Sequence, residues 1–170
     1  MYQLDNLALD ALEKDFLPLL ARWSNENAFK SINVGKHKLS TKNIDAVFAQ
    51  LPPTTHIVAI RMNTDLVGFC EFYHIDHFNK TVMINIYIDQ HQQNFILYGF
   101  KLLHLICSYG FNVMGFNKLS TDVMLEHTSI LNIFKQKSFK IEVHKRAHVM
   151  QNQSYKTVAE LALLKSEFKS

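Results

Sequence analysis

At 170 residues, with 48% apolar and 19% charged side chains, the chain is long enough for one well-filled core and too hydrophobic for disorder. Its 18 basic and 15 acidic residues leave a net charge of +3 with no Lys/Arg tract, which argues against nucleic acid. No apolar run reaches the ~20 residues of a spanning helix, and "MYQLDNLALD" lacks the basic-then-apolar order of a secretory signal, so we expect a cytoplasmic protein that engages no membrane.

No repeat or Pro/Gly linker divides the sequence, and we read residues 1–170 as a single domain. "QLDNLALDAL" suits a first strand, and "EKDFLPLLARW" a helix with Phe16, Leu19, Leu20 and Trp23 on one face. "STKNIDAVFAQL" carries a cap at Ser40 or Thr41 and a stripe of Ile44, Val47, Phe48 and Leu51, and Pro52-Pro53 stop it. The period then changes. "THIVAIRM", "LVGFCEFYHI" and "KTVMINIYI" alternate like strands, with the turn-forming "NTD" and "DHFN" between them, which predicts an antiparallel meander.

A helix follows from about Asn94 to Val113, with Ile96, Phe100, Leu103 and Gly110 at helical spacing. Then come a strand "KLSTDVML", a short helix "TSILNIFKQK", and two runs, "FKIEVHKRAHVM" and "KTVAELALL", joined by the turn "QNQS". The expected class is α/β (α+β): a mixed, mostly antiparallel sheet that gains one parallel neighbour through the long helix.

Cys70 and Cys107 stand far apart with no CxxC partner, as expected of two buried, reduced thiols. Among the nine His, the pairs His74/His77 and His144/His148 fall on strand or turn segments and do not form a helical His-x-x-x-His face, so we expect no metal site. "HKRAH", residues 144–148, reads as a solvated basic strand face.

The element order, the helix "LPLLARWSNE", the stretch "SYGFNVMGFNKLSTDVMLEHTSILNIFKQKSFKIE" and the ending "SYKTVAELALLKSEF" together resemble the GNAT superfamily of acyl-CoA-dependent N-acyltransferases. The likeness is to the branch of ribosomal-protein alanine, spermidine and amino-sugar acetyltransferases. It implies a sheet of about seven strands and about four helices, splayed between the fourth and fifth strands, with acetyl-CoA or another acyl-CoA as co-substrate. It also implies a small-molecule amine or amino-sugar as acceptor. An acyl carrier protein as donor and a homodimer stay open.

In that family the pantetheine arm passes through the splay, here beside Ile86, Tyr87 and Ile88, and the pyrophosphate rests on the following helix start, here His91, Gln92, Gln93, Asn94, Phe95 and Ile96. His127 takes the position of a family Asn, and with Asn132 and Phe134 would line the coenzyme groove. The backbone N–H near Ile88 would meet the oxyanion.

The departures lie where the chemistry would be. The cradle glycines are replaced by Gln92, Asn94 and Ile96, the strand carboxylate by Met83, and the proton-donating Tyr by Phe134. Glu71, His74 and Asp76 on the preceding run are the substitutes for a base, and Tyr87 or Tyr98 for an acid. A catalytically silent binding or regulatory protein on the same scaffold is the rival reading.

Overall fold

A computed structural model describes residues 1–25, 49, 51–89 and 95–169. The strands are β1 (Tyr2–Leu4), β2 (Leu7–Ala11), β3 (His56–Met62), β4 (Asp65–Asp76), β5 (Thr81–Ile88), β6 (Lys118–Met124), β7 (Lys140–Gln151) and β8 (Ser154–Leu164). The described helices are α1 (Leu17–Asn25), α2 (Phe95–Ser108) and α3 (Thr128–Gln136). The helix expected over residues 40–51 lies almost wholly outside the described residues. Among those described, no helix is long and apolar enough to cross a membrane.

One sheet of eight strands runs in the order β1-β2-β3-β4-β5-β6-β8-β7, and its one parallel neighbour pair is β5–β6. The count exceeds the expected seven because the first run is a hairpin: Asp5, at φ 52, turns the chain between Leu4 and Leu7. Asp and Asn tolerate this left-handed backbone better than most residues.

Strand alternation divides the sheet into two faces. On β5, Val82, Ile84, Ile86 and Ile88 join Phe72 of β4 and Leu103 and Ile106 of α2 in the main core. On the opposite face Leu20 of α1 packs on Ala59 and Phe69, with Tyr87 at the edge of that cluster. Helix α2 ends in a wider turn, Tyr109–Val113, closed by Met114 N–H donating to the Tyr109 carbonyl at 3.0 Å. Gly110 within that turn lies so near Leu119 that a Cβ would stand 3.0 Å from a leucine methyl.

The end of α3 is closed by backbone hydrogen bonds. Phe139 N–H donates to the Phe134 carbonyl (3.1 Å) and Ser138 N–H to the Lys135 carbonyl (2.9 Å), with Ser138 at φ 68. This is a Schellman stop in which Ser138 adopts the conformation glycine adopts at least cost. The Phe134 and Phe139 rings meet edge-on at 5.0 Å, the apolar contact that accompanies such a stop.

Gly68 of β4 has no room for a side chain beside β5. A Cβ there would sit 2.2 Å from the Tyr87 carbonyl oxygen and 2.8 Å from an Ile88 methyl, so backbone would have to move. Gly68→Ala is expected to destabilise the fold by about 1–3 kcal/mol, read as a lowered urea midpoint. An unchanged midpoint would mean the two strands are not held this tightly.

Candidate active site

The site begins where a ladder ends. Strands β5 and β6 pair only at Thr81–Lys118, Val82–Leu119 and Met83–Ser120. Beyond these pairs β5 runs on to Ile88 and β6 to Met124 with no register between them. The buried Thr121 hydroxyl donates to the Ile84 carbonyl at 3.0 Å and stands at the vertex of the resulting wedge.

Counting the N-terminal hairpin as one strand, this is the splay expected between the fourth and fifth strands. The Ile84 carbonyl points towards β6, and Asp89 N–H points the other way, donating to Val67 at 2.9 Å. Peptide groups alternate along a strand, so those of Ile86 and Ile88 turn towards the wedge. Helix α2 begins at Phe95, after β5, and α3 at Thr128, after β6. Both helix starts therefore lie at the carboxyl ends of the diverging strands, where parallel sheets offer a crevice.

On the face carrying Met83, the register answers where a carboxylate comes from. Glu71 of β4 lies opposite Asn85, two register positions further towards the wedge than the Tyr73–Met83 pair. Glu71 Oε2 accepts from Asn85 Nδ2 at 3.1 Å and from the Tyr87 hydroxyl at 3.1 Å. Burial first, and then the Glu71 charge, push the Tyr87 hydroxyl well above the ordinary tyrosine range. Tyr87 is thus a neutral donor that orients the carboxylate. Further along this face Asp122 and Glu160 hold Lys145 at 2.8 Å each, so Lys145 of the basic stretch is neutralised there. Two residues past it, Ala147 at φ 49 interrupts the β7 ladder.

The other substitutes are placed elsewhere. His74 is exposed in a bulge at φ 51, beyond Tyr73. Its neighbour Tyr73 pairs with Met83, four residues and roughly 13 Å along β5 from Tyr87. The structure separates His74 from Glu71 and Tyr87. Asp76 builds the β4–β5 turn, accepting from Asn79 N–H (2.8 Å) and Nδ2 (2.7 Å). Tyr98 lies a turn from Lys101, which pairs with Asp5 at 2.8 Å.

At the wedge mouth, His127 precedes α3 and has a buried Nε2 with no hydrogen-bond partner. Phe134 is buried and Asn132 exposed on α3. Ile86 and Ile88 have buried side chains. His91, Gln92, Gln93 and Asn94 lie outside the described residues, and Phe95 and Ile96 open α2. Cys70 and Cys107 are free and buried, and burial raises both thiols far above the range in which a thiolate forms. Among the described residues no three metal-binding side chains gather.

Asn85 and Thr121, which organise the carboxylate and the vertex, escaped the sequence reading. Asn85 is the one amide in the run "MINIYI" and was the available signal, whereas Thr121 is an ordinary strand residue.

No protein-family model matches the sequence, and no curated protein does. Solved structures do. Spermidine N-acetyltransferase from Vibrio cholerae in complex with CoA and spermine superposes with a TM-score of 0.88 at 18% identity, covering 96% of this chain and 98% of that one. Its dodecameric form superposes at 0.83, with 18% identity and 96% of each chain covered. A chimera of the same enzyme with its human counterpart gives 0.84 at 18% identity, over 95% and 97%. The chain has the fold of these N-acetyltransferases from end to end.

Proposed function

We propose that this protein is an acyl-CoA-dependent N-acyltransferase that moves an acyl group, acetyl in the first instance, to an amine of a small cationic molecule. The observation that carries the reading is the wedge: the β5–β6 ladder stops at Met83–Ser120 while both strands continue. A parallel pair forgoes backbone hydrogen bonds only where something else meets them. A pantetheine arm, with its amide groups, suits that space.

The residues present fit the coenzyme. The Ile88 peptide group turns into the wedge, the orphaned His127 Nε2 sits at its mouth, and the first turn of α2 offers backbone amides and a partial positive charge to a pyrophosphate. When bound, the thioester supplies an activated acyl carbon. Ile88 N–H meets the developing oxyanion. Glu71, held by Asn85 and Tyr87, takes the proton of the attacking amine, whose pKa near ~10.4 leaves it mostly protonated at neutral pH. Glu71, Asp122 and Glu160 share this face, and Lys145 offsets part of their charge, which favours a cationic acceptor. The solved neighbour's complex with CoA and spermine supports coenzyme A over a carrier protein as donor. The buried free thiols suit a reducing, cytoplasmic setting.

The test is a thermal titration with acetyl-CoA. Ligand at 100 times its dissociation constant stabilises by ~2.7 kcal/mol, which for a domain of this size raises Tm by roughly 5–11 °C. No shift at millimolar acetyl-CoA would remove the coenzyme from the reading. A shift without transfer to any amine would leave the silent binding protein.

A further inference from the structure

We propose that His127 is the proton donor to the departing sulfur, doing from the start of α3 what a hydroxyl two turns on cannot do here. The inference rests on the acyltransferase reading above. Its starting observation is independent of it: His127 Nε2 is the one buried side-chain nitrogen or oxygen among the described residues that has no hydrogen-bond partner. Leaving such an atom unmatched is costly, and native structures rarely do so without a ligand or a functional reason.

The placement says what the partner is. His127 is the residue before α3, its carbonyl accepting from Leu131 N–H at 3.0 Å, and Leu131 and Phe134 are buried on the inward side of the helix. The ring thus lies at the carboxyl end of β6, beside the wedge. It occupies the N-cap position, but its side chain makes no capping bond. Phe134 brings no polar group to this side, because its ring is committed to Phe139. The adjoining charged groups are already matched: Glu126, next in sequence, accepts from Lys156 Nζ at 2.8 Å. His127 Nε2 is therefore the ring nitrogen that the start of α3 offers to a ligand in the wedge.

The step balances simply. The amine nitrogen bonds to the acyl carbon and gives its proton to Glu71. As the carbon–sulfur bond breaks, its electron pair goes to sulfur, and the His127 imidazolium releases its Nε2 proton there, leaving a thiol and a neutral imidazole that solvent recharges.

The test uses the full chain and coenzyme A itself. In the wild-type complex the bound thiol should ionise about one to two pH units below its value in the His127→Phe complex, read as thiolate absorbance in the ultraviolet. His127→Gln, which keeps an amide donor and is the safer variant for folding, should show an intermediate value. Acetyl transfer by His127→Phe should fall ~10²- to 10⁴-fold, and adding Phe134→Tyr should restore part of it. Equal thiol ionisation in the wild-type and variant complexes overturns the assignment even where transfer is robust. Failure of the wild-type chain to bind coenzyme A at all takes down the acyltransferase reading, and this inference with it.

Discussion

Glu71→Gln is expected to lower acyl transfer about 10²- to 10⁴-fold while leaving acetyl-CoA affinity and the fold in place. The glutamine keeps an acceptor for the Asn85 amide and nearly the same volume, so the hydrogen bonds that organise this face survive. What is lost is the charge that draws a proton from the amine. The variant should therefore depend on amine already deprotonated in solution, and its rate should climb with pH towards the amine's own pKa near ~10.4. Initial rates from pH 6 to about 10 check this. Unchanged turnover would exclude Glu71 as the base, and with it the argument that β4 supplies the carboxylate missing at Met83.

Phe72→Ala should cost about 3–5 kcal/mol and lower Tm by roughly 6–20 °C. Phe72 is fully buried between the sheet and the end of α2, with its ring 5.8 Å from Tyr109 and 6.3 Å from His56. Its edge also faces the space where Gly110 lets the chain approach Leu119. These neighbours belong to the sheet and the wide turn after α2, which cannot collapse together onto an alanine. Equilibrium urea unfolding measures the loss. A value below about 1 kcal/mol would mean the α2 end repacks freely, contrary to its close fit.

Element identity was readable from residues 52 onward because the signals there are local. The alternation of "THIVAIRM" and "KTVMINIYI" gives strands, and "QNQS" gives a turn in which Asn152 and Gln153 both take positive φ, as a tight hairpin requires. Short-range punctuation was less legible. "QLDNLAL" hid a hairpin because Asp-Asn can turn the chain without glycine, and "SYGFNV" hid a widened turn in which Gly110 lies close to Leu119, nine residues on and in another element.

The catalytic candidates divide in the same way. Glu71, His74 and Asp76 are equivalent on paper, since all three are polar residues on one strand-like run. Only the pairing of β4 with β5 sets Glu71 beside Asn85 and Tyr87, puts His74 in an exposed bulge and commits Asp76 to a turn.

From residue 52 onward the sequence by itself determined the order of strands and helices, the single parallel connection and the apolar faces, because periodicity and turn chemistry act over a few residues. Tertiary structure alone decided where β5 and β6 part, which carboxylate faces the parting, and that His127 is left with an unmatched nitrogen. Each of these is a relation between elements distant in the chain, and for Glu71 it is fixed by strand register, since a one-residue slip would turn its side chain to the other face.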